Sequence, residues 1–244
     1  MNEYLEQLSK LIDLSQNRPL NEIVYEGLRK AIIGGIIPAG ERINEKVYSD
    51  YMNISRTPIR NAIDKLKHEG IIEHIPNYGV VVKRVSVADA EEIYKIRTAL
   101  DILASTTAMH QMTEENFREM EELLNKTKLA NDNGEVKEVI QYFSSFNSMI
   151  YRFARMPKLE IITDRLQQYL SRFRKISLYD DERRSKAIEE HFKIYKYLKT
   201  KDENLLAAVI RDHLNASKEF IIKEIIRYEA ERKDLISDIY EKTH

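Results

Sequence analysis

ISRTPIRNAIDKLKHEG, residues 54–70, is the stretch that decides how this chain folds. Ser55 stands where a helix N-cap belongs, and Pro58 falls in the first turn, where a missing N–H is tolerated. Ile59, Ile63 and Leu66 recur at spacings of four and three and form one apolar stripe. Gly70 stops the helix. The spacing predicts a short amphipathic helix between Ser55 and Gly70. Arg56 and Arg60 are four apart and share its polar face, with Asn61 and Lys65 beside them.

Upstream, Leu20, Ile23, Val24, Leu28, Ala31 and Ile32 repeat at three and four, a second amphipathic helix ended by Gly34 and Gly35. A turn follows at Ile37-Pro38-Ala39-Gly40. Asn44 can cap a short helix carrying Val47, Tyr48 and Tyr51, and Asn53-Ile54 makes the turn into the decisive stretch. Downstream the period changes. Ile71-Ile72-Glu73-His74-Ile75 and Val80-Val81-Val82-Lys83 flank Pro76-Asn77-Tyr78-Gly79, the pattern of a hairpin. Three helices and a hairpin over residues 19–85 describe a winged helix-turn-helix.

The chemistry of that unit suits a nucleic acid. An arginine fork reads guanine O6 and N7 in the major groove. The helix N-terminus offers free N–H groups and partial positive charge to phosphate. Arg42 and Lys46 can add contacts that position the module without reading sequence. The small hairpin tip, Asn77-Tyr78-Gly79, can approach a phosphate or the minor groove. An isolated Arg-x-x-x-Arg pair is ordinary solvated helix decoration. Here cap, turn proline, paired arginines, glycine stop and wing fall in order within one compact unit.

Pro38-Ala39-Gly40-Glu41-Arg42-Ile43-Asn44-Glu45, Ile54 to Ile63, Leu66-Lys67-His68-Glu69-Gly70 and Gly79 to Val82 together resemble the GntR family DNA-binding domain. Small departures from the family pattern are Ala39 for glycine and Asn61 for glutamate. Ser55, Arg56, Thr57, Arg60 and Asn61 are the candidate DNA-binding residues of this helix. The resemblance makes Arg56, Thr57 and Arg60 the main recognition contacts, Lys46 a backbone contact and Asn77 to Gly79 the wing contact. One such module covers few base pairs, so a homodimer on a short palindromic operator is expected.

Composition narrows the alternatives. The chain has 244 residues and a net charge of −1, so DNA binding must rest on a local basic surface rather than on bulk charge. It has no cysteine, which excludes disulfides, thiolate zinc sites and cysteine nucleophiles. No stretch approaches the roughly 18 apolar residues of a membrane helix, and residues 1–18 lack a signal-peptide core. A cytoplasmic protein is expected, with that extension helical and residues 233–244 a C-terminal tail.

Residues 86–232 read as helix after helix. Ser86-Val87-Ala88-Asp89 has the form of a capping box, and Ala90, Ile93, Ile96, Leu100 and Leu103 follow at helical spacing. Thr113 caps a second helix, which Asn133-Gly134 breaks. Further helices are predicted near 135–155, 158–178, 183–199 and 202–232. Six helices with short connections argue for an antiparallel bundle. The expected fold is therefore mainly α, a winged helix-turn-helix followed by an all-helical effector domain. His191 lies nine residues before Thr200 and His213 eleven after Asp202. At about 1.5 Å per residue the two sit at similar depth on adjacent antiparallel helices. They are either co-ligands of one site or two independently satisfied helix histidines.

Ile96-Arg97-Thr98-Ala99-Leu100-Asp101, Phe146-Asn147, Pro157-Lys158-Leu159, Glu190-His191 and Asp212-His213-Leu214 resemble the FadR subgroup of the same family and its helical ligand-binding domain. Many members hold a divalent metal such as zinc or nickel through an Asp, a His four residues later and two more histidines. His191 and His213 match the last pair, whereas the first pair falls on Phe143 and Asn147. Two imidazoles and an amide without a carboxylate make a poor site for a hard ion, so weak or absent metal binding is expected. Arg97, Asn147, His191 and His213 are the candidate effector-binding residues. Arg97 either receives an anionic metabolite or pairs with Asp101 four residues on. Arg172 and Arg174 are weaker candidates, and Tyr142, Tyr169 and Tyr195 are read as core filling. The reading is a ligand-responsive repressor, not an enzyme. Its rivals are a metal-dependent hydrolase bundle, which lacks a full ligand set, and a winged protein-interaction module without DNA binding, against which Arg56, Thr57 and Arg60 stand.

Overall fold

The structure, a computed structural model, describes residues 3–241; the side chains of residues 3, 172, 174, 175 and 231–241 lie outside that description. The chain divides between Val85 and Ser86 into two compact units.

The first unit contains α1 (Glu3–Leu11), α2 (Leu20–Ile33), α3 (Glu45–Met52), α4 (Arg56–His68), β1 (Ile72–Ile75) and β2 (Gly79–Val82). Its core is the apolar stripes read from the sequence: Val24, Leu28 and Ala31 of α2 meet Ile59, Ala62 and Leu66 of α4, all with no exposed surface. Asn44 caps α3 by accepting from the backbone N–H groups of Lys46 and Val47, and Asn53 ends it in the left-handed conformation. Ser55 occupies the N-cap position of α4, but its side chain makes no capping bond, contrary to expectation. The extended backbone at Ser55 and Pro58 in the first turn start that helix without it.

The hairpin pairs antiparallel from Ile72↔Val82 to Ile75↔Gly79. A third extended segment, unread from sequence, joins it through an isolated bridge between Arg42 and Val81. Ile43 N donates to the Val80 carbonyl and Val82 N to that of Glu41. The wing is thus anchored to the turn that precedes α3.

α1 is folded onto this unit. Leu5, Leu8 and Ile12 are buried, Tyr4 donates to Glu41 and its ring stacks 6.5 Å from that of Tyr48. Gly27 makes the notch that receives Ile12: a Cβ there would fall 2.1 Å from Ile12 Cγ1.

The second unit is helical throughout: α5 (Val87–Gln111), α6 (Glu114–Asp132), α7 (Val136–Phe153), α8 (Pro157–Tyr169), α9 (Ser171–Tyr179), α10 (Asp181–Thr200) and α11 (Glu203–Glu241). Capping boxes at Ser86/Asp89 and Thr113/Asn116 start α5 and α6. α5 packs along α11 and α7, and α6 along α7 and α10. The helix expected over 158–178 is two helices, divided at the buried Leu170 with no glycine or proline to mark the break. α11 continues as helix through most of the residues expected to form a tail. Arg184 ties the C-terminal end of α9 to α6: its guanidinium donates to Asn131, the Leu178 carbonyl and Asp181. Among the described residues no helix is long and apolar enough to cross a membrane.

The Gly27 notch leads to a prediction. Replacing Gly27 by valine forces Ile12 off α2 and is expected to destabilise the chain by about 1–3 kcal/mol, the usual cost of overpacking. Chemical denaturation measures it; a variant as stable as the parent contradicts the packing described.

Candidate functional site

Helical periodicity sorts α4 into two faces. Pro58, Ile59, Ala62, Ile63 and Leu66 are buried, while Arg56, Thr57, Arg60 and Asn61 are exposed. The exposed set occupies the N-terminal half, where the helix dipole is positive. The C-terminal end is tied down: Glu69 accepts from Arg29 Nε at 2.9 Å and from the Tyr25 hydroxyl, both on α2. Lys65 lies 5.2 Å over the Tyr25 ring, so its charge is drawn to that same anchored end. Ser55 and Lys46 are exposed at the beginnings of α4 and α3. Arg60 is held by Glu45, the first residue of α3, through Nε and Nη2 at 3.2 and 2.9 Å. Those bonds and the carboxylate charge raise the guanidinium's pKa further.

The wing presents Asn77 and Tyr78 to solvent, with Asn77 in the left-handed region at φ 63° and the Tyr78 side chain half exposed. Gly79 has φ 106° and lies under the Arg42 guanidinium: a Cβ there would meet Nε at 3.2 Å. The same guanidinium lies 5.8 Å from the Tyr78 ring centroid. Arg42 is therefore a strut of the wing as well as an exposed cation.

In the second unit, Arg97, Asn147 and His213 line one small cavity of about 20 Å³, room for roughly one water. Asp101, Ser105 and Tyr151 complete its polar lining. Arg97 pairs with Asp101 at 2.9 Å, and Tyr151 donates to the other Asp101 oxygen at 2.6 Å. The pairing left open by the sequence is thus made. Burial works against the Arg97 charge more than any other single influence, but Asp101, Tyr94 and Tyr151 together outweigh it and the net shift is upward. Arg97 Nε is buried with no hydrogen-bond partner among the described residues. Tyr151 also borders a surface groove of about 650 Å³ between α6, α7 and the start of α8. His191 does not line the cavity. Its ring stacks on Phe146 at 4.3 Å, meets the edge of Phe143 at 4.7 Å and lies 4.9 Å from the His213 ring. The side chains of Arg172 and Arg174 lie outside the described residues. Tyr195 is buried and donates to Glu121.

Comparison with known proteins decides the family. Residues 20–82 match the model of the bacterial regulatory proteins of the gntR family, and residues 92–216 match that of the FCD domain. The chain belongs to the GntR family. This GntR regulator is 28% identical over 192 residues to the HTH-type transcriptional regulator YdhC of Bacillus subtilis (strain 168), covering 78% of this chain and 86% of that one. It is 24% identical over 208 residues to the HTH-type transcriptional repressor RspR of Escherichia coli (strain K12), covering 85% and 91%. Among solved structures, E. coli McbR/YncC shares the fold with a TM-score of 0.63 at 22% identity, over 85% of this chain and 99% of that one. The protein is a GntR-family transcriptional regulator with an FCD domain.

The donor set of this GntR regulator does not suit the divalent metal implied by the FadR-type resemblance. The four positions that match the metal ligands are Phe143, Asn147, His191 and His213, which supply two imidazoles and one amide and no carboxylate; the Phe143 ring packs against His191 where the pattern calls for an aspartate. No group of three or more His, Cys, Asp or Glu able to hold a metal occurs among the described residues. Glu190, missed in the sequence, instead accepts from His213 Nδ1 at 2.6 Å and from Arg183 at 3.1 Å, and Arg183 also donates to Ser217. The i, i+7 spacing of Arg183 and Glu190 on one helix face was the available signal.

Burial pushes the His213 imidazole below its ordinary value, against the opposing pull of Glu190. The native ring thus binds fewer protons than the unfolded one once the pH drops below about 6.5, and stability falls on acidification. The unfolding temperature is expected to drop between about pH 7 and pH 5.5, and to drop less in His213→Gln. Calorimetry across that window checks this; identical slopes contradict it.

Proposed function

We propose that this regulator binds a short palindromic operator as a homodimer, with the N-terminal half of α4 in the major groove and the wing tip on the adjacent backbone. It acts as a repressor, and a small anionic metabolite held by the FCD domain lowers its affinity for DNA. The observation that carries the DNA reading is the exposed set Arg56, Thr57, Arg60 and Asn61 on the one helix face turned from the core. A single module covers few base pairs, and pairing two on a palindrome is the usual remedy. The name of the relative RspR, a repressor, supports the sign.

For the effector, Arg97 lines the FCD cavity, and its guanidinium, bound to Asp101 through Nη2, keeps Nε as a buried donor without a partner among the described residues. A carboxylate there completes the charge-assisted pairing and requires the cavity to widen. Ligand binding and DNA binding then form one linked pair of equilibria.

Selection from a randomised duplex library by the unaltered protein supplies the probe DNA. Replacing both Arg56 and Arg60 by alanine is expected to weaken binding to it about 30-fold or more, at roughly 1–3 kcal/mol per lost bidentate contact. Circular dichroism should show the fold intact. Binding within threefold of the parent would overturn the contact assignment. Separately, organic acids that raise the unfolding temperature should lower affinity in a gel shift; unchanged or increased affinity for all of them overturns the proposed sign.

A further inference from the structure

Arg60 and Glu45 are fifteen residues apart, on different helices, and exposed enough that a simple ion pair between them contributes little stability. Their geometry is nevertheless specific. Nε lies 3.3 and 3.2 Å from the two carboxylate oxygens, and Nη2 lies 2.9 Å from Oε2. Glu45 therefore occupies the side edge of the guanidinium. Nη1 and the outward N–H of Nη2 are left as an end-on fork, the arrangement that matches guanine O6 and N7.

We infer that Glu45 is a positioning residue for DNA reading, fixing the direction in which Arg60 presents its fork to one base pair. This rests on the proposed docking of α4 in the major groove. An arginine carries about 2 kcal/mol of rotamer entropy, and a partner that holds it in place before binding removes part of that cost. Glu45 is also the first residue of α3, where a carboxylate favours the helix dipole. That role explains a glutamate at this position but not the two-pronged approach to a side chain on another helix. It also predicts an effect on stability, not on base preference. A carboxylate beside the phosphate backbone repels DNA, so its presence at the interface is offset only if it sharpens the contact made by Arg60.

The test uses the full-length protein and the duplex it selects from a randomised library. Affinities of the parent, Glu45→Gln, Arg60→Lys and the double variant are measured for that duplex, for every single-base-pair change in one half-site and for mixed-sequence DNA. Glu45→Gln keeps the size of the side chain and removes its charge. It is expected to lower discrimination about tenfold at a single G·C pair, the one most affected by Arg60→Lys. Other positions should be unaffected, and affinity for mixed-sequence DNA should be equal or higher. In the Arg60→Lys background the Glu45 change should add nothing at that pair. Four results overturn the inference: unchanged discrimination everywhere, an equal loss at all positions, a further loss in the Arg60→Lys background, or no sequence selected by the parent. Only the last also removes the major-groove reading; the first three leave that reading standing.

Discussion

The apolar seam between α2 and α4 sets which face of the recognition helix meets solvent. Ile59 and Leu66 are completely enclosed, and each such side chain stabilises the unit by about 1.5–3 kcal/mol. A thirteen-residue helix is marginal alone, so α4 exists as a helix because this stripe is buried. Rotating α4 to turn its arginines inward would expose the seam and bury two charges at once. The Glu69 clamp to Arg29 and Tyr25 fixes the far end, and the pairing of Arg42 with Val81 fixes the wing to the segment leading into α3. The polar face is thus held by three separate devices, each paired with a different part of the unit.

Those devices were not equally legible in the sequence. The stripes of α2 and α4, the Asn44 cap and the Pro76–Gly79 turn are local patterns, with periods and turn residues that need no knowledge of distant partners. The third extended segment is different. Its partner strand lies about forty residues away, and one isolated bridge leaves no alternation to detect. Ser55 has the right residue type for a cap, yet its hydroxyl is left out of the helix start, since type and position do not determine a rotamer. The break between α8 and α9 carries no helix breaker. Leu170 is drawn into the core and tertiary packing overrides the continuous helical pattern.

The candidate site in the FCD domain was legible in part for the same reason. Antiparallel geometry places His191 near His213, and their rings are 4.9 Å apart. That Phe143 and Phe146 close around His191 depends on side-chain packing across helices, and so does the capture of His213 by Glu190. The result is a compact aromatic and hydrogen-bonded cluster beside the Arg97–Asp101–Tyr151 network. Each buried charge in the two networks has a counter-charge within hydrogen-bonding distance, the condition under which ionised groups persist in a low-dielectric interior.

The central claim is that the exposed half of α4 enters the major groove. Methylation interference on the selected duplex addresses it directly, because dimethyl sulfate modifies guanine at N7, an atom that faces that groove. Interference at guanines in two clusters related by the symmetry of the palindrome is the predicted result. Full binding to duplexes methylated at every guanine N7, with interference arising only from adenine N3 in the minor groove, would contradict it.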